Sequence, residues 1–321
     1  SMFVFGLKIE EFEYAFQLDG PYDEKKGLLF NKENILLDPY ARAVTGQRNW
    51  GERPEGGADF VYHARVVENN FDWGDIRPTE HPFEDLVIYE MHVRGFTKDV
   101  SSGVTPGAEG TYEGLRQKIP YLKELGITAV ELMPVTEFDE IMMSSSGSSF
   151  HNAKQEPTGY LNYWGYGPSY LYAVKTAYAS RETMSAEGEF KTLVKELHKA
   201  GIECIPEMYF TGKELPGEIL SVLRYWVEEY HVDGFHLTGF PDLSLAAEDP
   251  FLKRTKLFAE NWNDVMNRRP KQGYVTLGDG AVSVEEKNLA EYNMQFMEDM
   301  RRFLKGDEGM LSAFELRNRR N

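Results

Sequence analysis

The chain has 321 residues, with 35 Lys and Arg against 52 Asp and Glu, so its formal net charge is −17 at neutral pH. This charge excludes a simple binder of the nucleic-acid backbone, which needs a basic face. It also disfavours docking on anionic membranes, and no run of about 18 apolar residues predicts a membrane-spanning helix. Hydrophobic residues make up 41% and aromatic residues 13% of the chain. We therefore expect an acidic globular protein with a large core and neither nucleic-acid nor membrane partners.

The cysteine content and the N-terminus bear on the cellular compartment. Cys204 is the single cysteine, which excludes an internal disulfide framework and is ordinary in a reducing environment. The N-terminal residues reach Glu10 and Glu11 after a short apolar stretch and contain no cleavage-like segment, unlike a signal peptide. These features predict a cytoplasmic protein.

Residues 1–84 are rich in turns and short apolar segments. Residues 12–18 alternate apolar and polar side chains, which is typical of a strand, and residues 19–27 read as a turn. A linker rich in Pro and Gly ends near Pro82. We predict a small β-rich segment that is too short for an independent core.

From Asp85 onward, predicted strands and helices alternate. Apolar runs predict buried strands at 86–93, 128–135, 202–210, 234–240 and 255–261, with a candidate sixth at 273–279. Helical periodicity predicts helices at 118–126, 189–201, 218–230 and about 289–304. Such alternation indicates parallel strands covered by helices, and the pattern fits a barrel and a doubly wound sheet equally well. No glycine-rich nucleotide-binding motif follows any strand.

Nine strings, spread over nearly the whole chain, occur in the order in which one enzyme family carries them. They are LLDPYARAVTG, EDLVIYEMHVRGFT, GTYEGL, YLKELGITAVELMPVTEF, NYWGYGPSYLY, EFKTLVKELHKAGIE, LRYWVEEYHVDGF, TKLFAENW and AEYN…RRFLKGDEGMLSAF. Together they resemble glycoside hydrolase family 13, the α-amylase family, in its branch of isoamylases, glycogen-debranching enzymes and pullulanases. Their joint occurrence is far more specific than any one string.

The resemblance implies an α/β fold, a TIM-type (β/α) barrel over residues 85–321. It implies that residues 1–84 are the end of a carbohydrate-binding module similar to family 48, plus a linker. Only about six strands are recognisable, so we expect an incomplete or degenerate barrel. The implied substrates are α-glucans of the glycogen and starch type, with α-1,4 and α-1,6 bonds. No cofactor is implied, and the histidines lack metal-ligand spacing, so we expect no metal site.

The catalytic positions of the family are only partly retained. Retaining glycosidases need a carboxylate nucleophile and a carboxylic acid about 5–5.5 Å apart. The family's nucleophile Asp ends a GFRFD-type string, whereas GFHLT places Thr238 at that position and His236 at the Arg position. Glu260 keeps the position of the acid in TKLFAENW. A threonine hydroxyl has no charge to stabilise an oxocarbenium ion, and no base to activate it is evident. The resemblance therefore implies low or absent hydrolysis.

The sugar-binding positions are also altered. Where the family has a DVVYNH-type string on the third strand, this chain reads EMYFTG, so Glu207 replaces the Asp. The segment NYWGYGPSYLY offers Tyr163, Trp164 and Tyr166 as a platform for sugar rings, and the resemblance puts Tyr166 under the ring at the cleavage subsite. His236 and Glu207 complete the candidate substrate-binding set.

Each candidate also has a structural interpretation. The aromatic residues can pack the loop against the barrel, and His236 can be a hydrogen-bonded structural histidine. Glu207 can be a satisfied polar residue at the barrel mouth, and Glu260 a relic at a strand end. Structural roles are likewise the default for three first-strand residues that could line the pocket, Glu90, His92 and Arg94.

Two features of length complete the comparison with the family. The family's long loop after the third strand is reduced here to TGKELPGE, and no seventh or eighth strand is recognisable. YVTLGDG resembles a later family string, but it precedes AEYN…RRF, so we interpret the match as coincidental. Six strands would leave two open edges, so either the natural protein continues past Asn321 or a partner or its own termini cover the edges.

Three functions stay open at this point. The first is a catalytically impaired family member that binds α-glucan weakly or not at all. The second is an active glycoside hydrolase in which Glu207, Asp242 or Asp279 replaces the lost nucleophile. The third is a non-enzymatic scaffold that self-associates through the open barrel edges.

Overall fold

The computed structural model describes residues 5–6, 8, 12–45, 48–52, 62–68, 70–146, 154–180, 185–243, 245–246, 248–260 and 288–307. The candidate strand at 273–279, and with it Asp279, lies outside these residues. Within them, no helix is both long and apolar enough to span a membrane.

The N-terminal part contains short antiparallel strands. They are β1 (Glu13–Tyr14), β2 (Tyr22–Asp23), β3 (Leu28–Leu29), β4 (Ala43–Val44) and β5 (Ala64–Arg65). The first, fourth and fifth form one sheet in the order β1-β5-β4, and β2 pairs with β3. Their small core, formed by Ala41, Val44 and Ala64, also includes Ala173 of the following part of the chain. The strand predicted at 12–18 is β1 and a single bridge from Phe16 to Leu36.

The remaining strands are β6 (Ile88–Met91), β7 (Ala129–Leu132), β8 (Thr136–Phe138), β9 (Ile141–Ser146), β10 (Lys154–Leu161), β11 (Ser169–Val174), β12 (Glu203–Phe210), β13 (Gly234–Gly239), β14 (Lys256–Ala259) and β15 (Leu289–Glu291). Six of them form one parallel sheet in the order β6-β7-β12-β13-β14-β15. The pairs β8–β11 and β9–β10 are antiparallel excursions between β7 and β12. The first five predicted parallel strands are therefore confirmed.

The helices are α1 (Val93–Thr97), α2 (Tyr112–Gln117), α3 (Ile119–Glu124), α4 (Ala186–Ala200), α5 (Pro216–Tyr230) and α6 (Met294–Lys305). The Ser185 hydroxyl caps α4 by accepting from the backbone N–H of Gly188, and α4 ends at Gly201, whose φ of 75° suits glycine. The predicted final helix began too early. Residues 289–291 form β15, and α6 starts only after Asn293, whose side chain accepts from the N–H of Phe296.

The six-stranded sheet is curled. Tyr292, directly after β15, donates a hydrogen bond to Glu131 on β7, four strands away. Four strand spacings in a flat sheet would separate them by about 19 Å. Ala129, Ile205 and Phe258 form an apolar layer on the inner face, whereas α4 and α5 cover the outer face. The sheet is thus part of a TIM-type barrel, as the family resemblance implied, and the doubly wound sheet that the strand–helix pattern left open is wrong.

Candidate active site

A polar layer lies on the inner face of the half-barrel, above its apolar layer. Glu90 on β6 is in register with Glu131 on β7, and Glu207 on β12 is in register with His236 on β13. Thr238 follows two residues later on the same face of β13. Strand ends of this kind carry the active sites of TIM-type barrels. The layer therefore brings together the sequence candidates Glu207, His236 and Thr238.

His236 is held by two residues that the sequence analysis did not single out. Its Nδ1 lies 2.6 Å from Oε1 of Glu131, and Oη of Tyr292 donates to Oε2 of Glu131 at 2.6 Å. The ring of Tyr292 packs on the imidazole at 4.5 Å between centroids. Burial disfavours the imidazolium, but the hydrogen bond and charge of Glu131 outweigh it and raise the pKa of His236. A glutamate in the otherwise apolar string TAVELMPV was the available signal.

Glu207 is buried, and the pKa of its carboxyl group is raised. Tyr166 donates a hydrogen bond from Oη to Oε2 of Glu207 at 3.1 Å. Burial raises the pKa of Glu207 to about 7, against the smaller lowering effects of His236 and of the Tyr166 and Thr238 hydroxyls. Below neutral pH the carboxyl group is thus mostly protonated. A protonated carboxyl group is suited to general-acid chemistry and is a poor nucleophile.

Thr238 is only 7% exposed, and its hydroxyl faces the neighbouring strand. Oγ1 donates to the carbonyl oxygen of Met208 at 3.5 Å, which is a long hydrogen bond. The side chains of Met208 and Phe210 belong to the core beneath the helices, so they do not fill the inner face.

The remaining candidate carboxylates lie at the edge of the described chain. Glu260 directly follows β14 and is exposed. It is also the last described residue before 288, so its surroundings are only partly described. Asp242 is half-buried after β13.

The three aromatic candidates have different surroundings. Tyr163 stacks on His92 at 4.4 Å between ring centroids, as the packing interpretation expects. Trp164 is 52% exposed and meets His92 edge-on. Tyr166 is 39% exposed and, through its bond to Glu207, is the member of this trio that reaches the polar layer.

Of the three candidates predicted on the first strand, only Glu90 lies on β6; His92 caps α1 and Arg94 lies within α1. His92 accepts the backbone N–H of Gly95 at Nδ1 and contacts the carbonyl oxygen of Tyr163 through Nε2, and burial lowers its pKa. These contacts fit a neutral structural histidine. Burial and the charge of Glu131 raise the pKa of Glu90, which belongs to the polar layer. Arg94 instead lines a separate pocket beside Trp50.

Metal binding has no visible basis in the part of the chain that the structure describes. No three His, Cys, Asp or Glu side chains among those residues are grouped to hold an ion. The expectation of a site without metal or cofactor stays a prediction.

Comparisons with known proteins place these features in context. No model of a protein family matches the chain. Isoamylase 3 of Oryza sativa subsp. japonica, a chloroplastic protein, is 33% identical over 97% of this chain and 46% of its own length. The glycogen operon protein GlgX homologue of Haemophilus influenzae is 30% identical over 94% of this chain and 52% of its own length. The chain thus spans about half the length of the curated relatives it matches.

Solved structures show the same fold. A type I pullulanase from Bacillus subtilis str. 168, solved in complex with maltose, superposes with a TM-score of 0.59 and 23% identity, covering 84% of this chain and 42% of that one. The ordered strings, the curled parallel sheet and these likenesses agree. Over the half of those proteins that it spans, the chain is similar in sequence to isoamylases and to a glycogen operon protein, and it shares the fold of a pullulanase.

Proposed function

We propose that the chain is an α-glucan-binding protein of glycogen or starch metabolism whose own hydrolytic activity is low or absent. The observation that carries the proposal is Thr238, a buried hydroxyl on the inner face where the family's nucleophile is expected. The relatives are named an isoamylase and a glycogen operon protein, and these names support glycogen or starch as the class of glucan. A cytoplasmic location is part of the same proposal.

The chemistry of a retaining glycosidase explains why Thr238 matters. The nucleophile must be an ionised carboxylate that attacks the anomeric carbon while a second carboxylic acid protonates the leaving oxygen. Thr238 has no charge, and its hydroxyl contacts the carbonyl oxygen of Met208 and the carboxyl group of Glu207. Glu207 is a poor substitute because its pKa of about 7 keeps it mostly protonated at mildly acidic pH.

Binding of a glucan has better support than its hydrolysis. Tyr166 presents an exposed part of its ring beside Glu207, and Trp164 adds a second exposed aromatic surface on the same loop. Aromatic faces stack on the apolar faces of pyranose rings, and the Tyr hydroxyl and the polar layer offer hydrogen bonds. We assign substrate contact to Tyr166 and Trp164 first, then to Tyr163, His236 and Glu207.

The raised pKa of Glu207 favours a second candidate function, that of an active glycoside hydrolase. A glutamate with a pKa near 7 is what a general acid requires, so an active hydrolase could use Glu207 as its acid. Glu260 or Asp242 would then have to act as the base. An inverting pair of this kind needs carboxyl groups about 6.5–9.5 Å apart around a water.

One pair of measurements tests these functions. Purified protein is incubated with glycogen and pullulan while reducing ends are measured, and maltotetraose binding is measured by calorimetry. We expect no release of reducing ends above background. We expect maltotetraose to bind, and Tyr166→Ala to weaken this binding. Tyr160 is exposed, and Tyr160→Ala is the control that should leave the binding unchanged. Release of reducing ends that Glu207→Gln or Glu260→Gln abolishes would establish the hydrolase instead. Absence of both binding and release, with dimers in solution, would favour the scaffold.

A further inference from the structure

A second pocket lies away from the polar layer of the barrel. It encloses about 300 Å³ between α1, the loop that precedes α2, and residues 48–50 of the N-terminal part. Its functional lining residues are Arg48, Trp50, Arg94, Lys98, Glu109 and Thr111. No residue of the polar layer lines it, so it is a separate site.

The pocket has a charge opposite to that of the chain. Arg94 and Lys98 line it together with one carboxylate, that of Glu109, whereas Asp and Glu outnumber Lys and Arg by 52 to 35 in the whole sequence. Neither Arg94 nor Lys98 forms an ion pair with a described residue. Hydrogen bonds from backbone N–H groups, including that of Gly107 at 2.8 Å, and then the charge of Lys98 lower the pKa of the Glu109 carboxyl group. A local excess of positive charge therefore persists in a strongly acidic protein.

Arg94 is the cation of this pocket that carries most of the argument for an anionic ligand. Its guanidinium carbon lies 5.0 Å from the centroid of the Trp50 ring, and Trp50 is itself fixed by stacking on Tyr178 at 5.6 Å. Arg94 is half-buried, and burial lowers its pKa. Its N–H groups make no hydrogen bond with any residue that the structure describes. A partly desolvated guanidinium thus lies beside the Trp50 ring in this pocket without a hydrogen-bond partner among the described residues.

The chemistry of these groups selects a ligand class. A guanidinium fork binds phosphate or carboxylate through two parallel hydrogen bonds, and a lysine ammonium adds a second point charge. Arg94 and Lys98 together suit a dianion, while Glu109 at the same pocket accepts a hydroxyl and repels a further negative charge. A volume of about 300 Å³ exceeds the need of inorganic phosphate alone. We propose that this pocket binds the phosphate monoester of a small sugar.

Calorimetric titration of the full chain with glucose 6-phosphate and glucose 1-phosphate tests the proposal, with glucose and inorganic phosphate as comparison ligands. We expect saturable binding of at least one phosphate ester, no binding of glucose, and weaker binding of inorganic phosphate. Affinity should fall as salt is added, because charges in a partly open pocket are screened. Failure of both esters to bind at low salt would overturn the proposal.

Variants locate the binding site. Lys98 is exposed, so Lys98→Gln should leave the fold intact and weaken binding about tenfold, and Arg94→Gln should weaken it more. Lys253→Gln makes the same charge change at an exposed lysine outside the pocket and should leave the affinity unchanged. Equal loss in Lys98→Gln and Lys253→Gln would overturn the site. Maltotetraose binding, which we expect to depend on Tyr166, reports separately on the proposed glucan function.

Discussion

Glu203 and Glu207 lie four residues apart on β12, and both are buried on the inner face of the barrel. At the lower end, the ammonium of Lys256 donates to Oε1 of Glu203 at 2.8 Å, and the backbone N–H of His81 donates to the same oxygen. At the upper end, burial raises the pKa of Glu207 to about 7. The charge of His236 and the hydrogen bonds from the Tyr166 and Thr238 hydroxyls oppose this rise only in part. Burial raises the pKa of Glu203 as well, but there the ammonium of Lys256 opposes the rise, whereas no lysine or arginine contacts Glu207 among the described residues.

Removing the lysine at the lower end should give the largest effect. Lys256→Met leaves Glu203 buried without its cation, and breaking a buried pair costs about 3–5 kcal/mol of unfolding free energy. Urea denaturation followed by circular dichroism measures the loss. Lys253→Met, three residues earlier and exposed, is the control and should change the midpoint little. An unchanged midpoint in Lys256→Met would show that Glu203 does not depend on this ion pair.

Glu207, at the upper end of β12, should make the unfolding free energy depend on pH. The pKa of Glu207 is raised from its usual 4.5 to about 7, so between these values the folded state holds a proton that the unfolded state has lost. Its contribution to stability is therefore present below about pH 4.5 and is lost as pH rises towards 7. The shift corresponds to about 3 kcal/mol as an upper limit. Glu207→Gln removes this dependence.

Stability curves of the wild type and Glu207→Gln between pH 4.5 and 8 provide the measurement. The difference in unfolding free energy should move in favour of the glutamine variant as the pH rises. Parallel curves would mean that folding does not raise the pKa of Glu207, and they would contradict the contrast between the two ends of β12.

Glu131→Gln should have an intermediate effect that is visible at His236. The substitution removes the charge that raises the pKa of His236 and weakens the hydrogen bonds from His236 and Tyr292. We expect the pKa of His236 to fall and the unfolding free energy to drop by about 1–3 kcal/mol. NMR titration of the imidazole checks the first and urea denaturation the second. An unshifted His236 titration would contradict the assigned role of Glu131.

The polar layer on the inner face of the barrel separates what the sequence predicted from what it did not. The strand–helix alternation predicted parallel strands covered by helices, because buried strands and amphipathic helices have strong periodic patterns, and the family resemblance of the nine ordered strings implied the barrel. They also placed Thr238, His236 and Glu207 on adjacent strands. Glu131 and Tyr292 were missed because their contacts join β7 to the end of β15, which only the curl of the sheet brings together.

The error at residues 289–291 has a related cause. The string from Leu289 to Leu304 has helical periodicity overall, but its first three residues satisfy their backbone by pairing with β14. A strand of three residues is too short to stand out in sequence, and its pairing partner lies about thirty residues earlier. Tertiary pairing thus overrode the local pattern.

Substitution of Thr238 should have the smallest effect on the unfolding free energy, and it tests whether the hydroxyl takes part in hydrolysis. Its hydrogen bond to the Met208 carbonyl is 3.5 Å long, so Thr238→Val should cost no more than about 1 kcal/mol of unfolding free energy. Thr238→Ser keeps the hydroxyl and is the matched control. Because we assign Thr238 no chemical step, both variants should bind maltotetraose like the wild type and release no more reducing ends. Reducing-end release that survives in Thr238→Ser and disappears in Thr238→Val would instead make the hydroxyl a working nucleophile, and the impaired-enzyme proposal would fail.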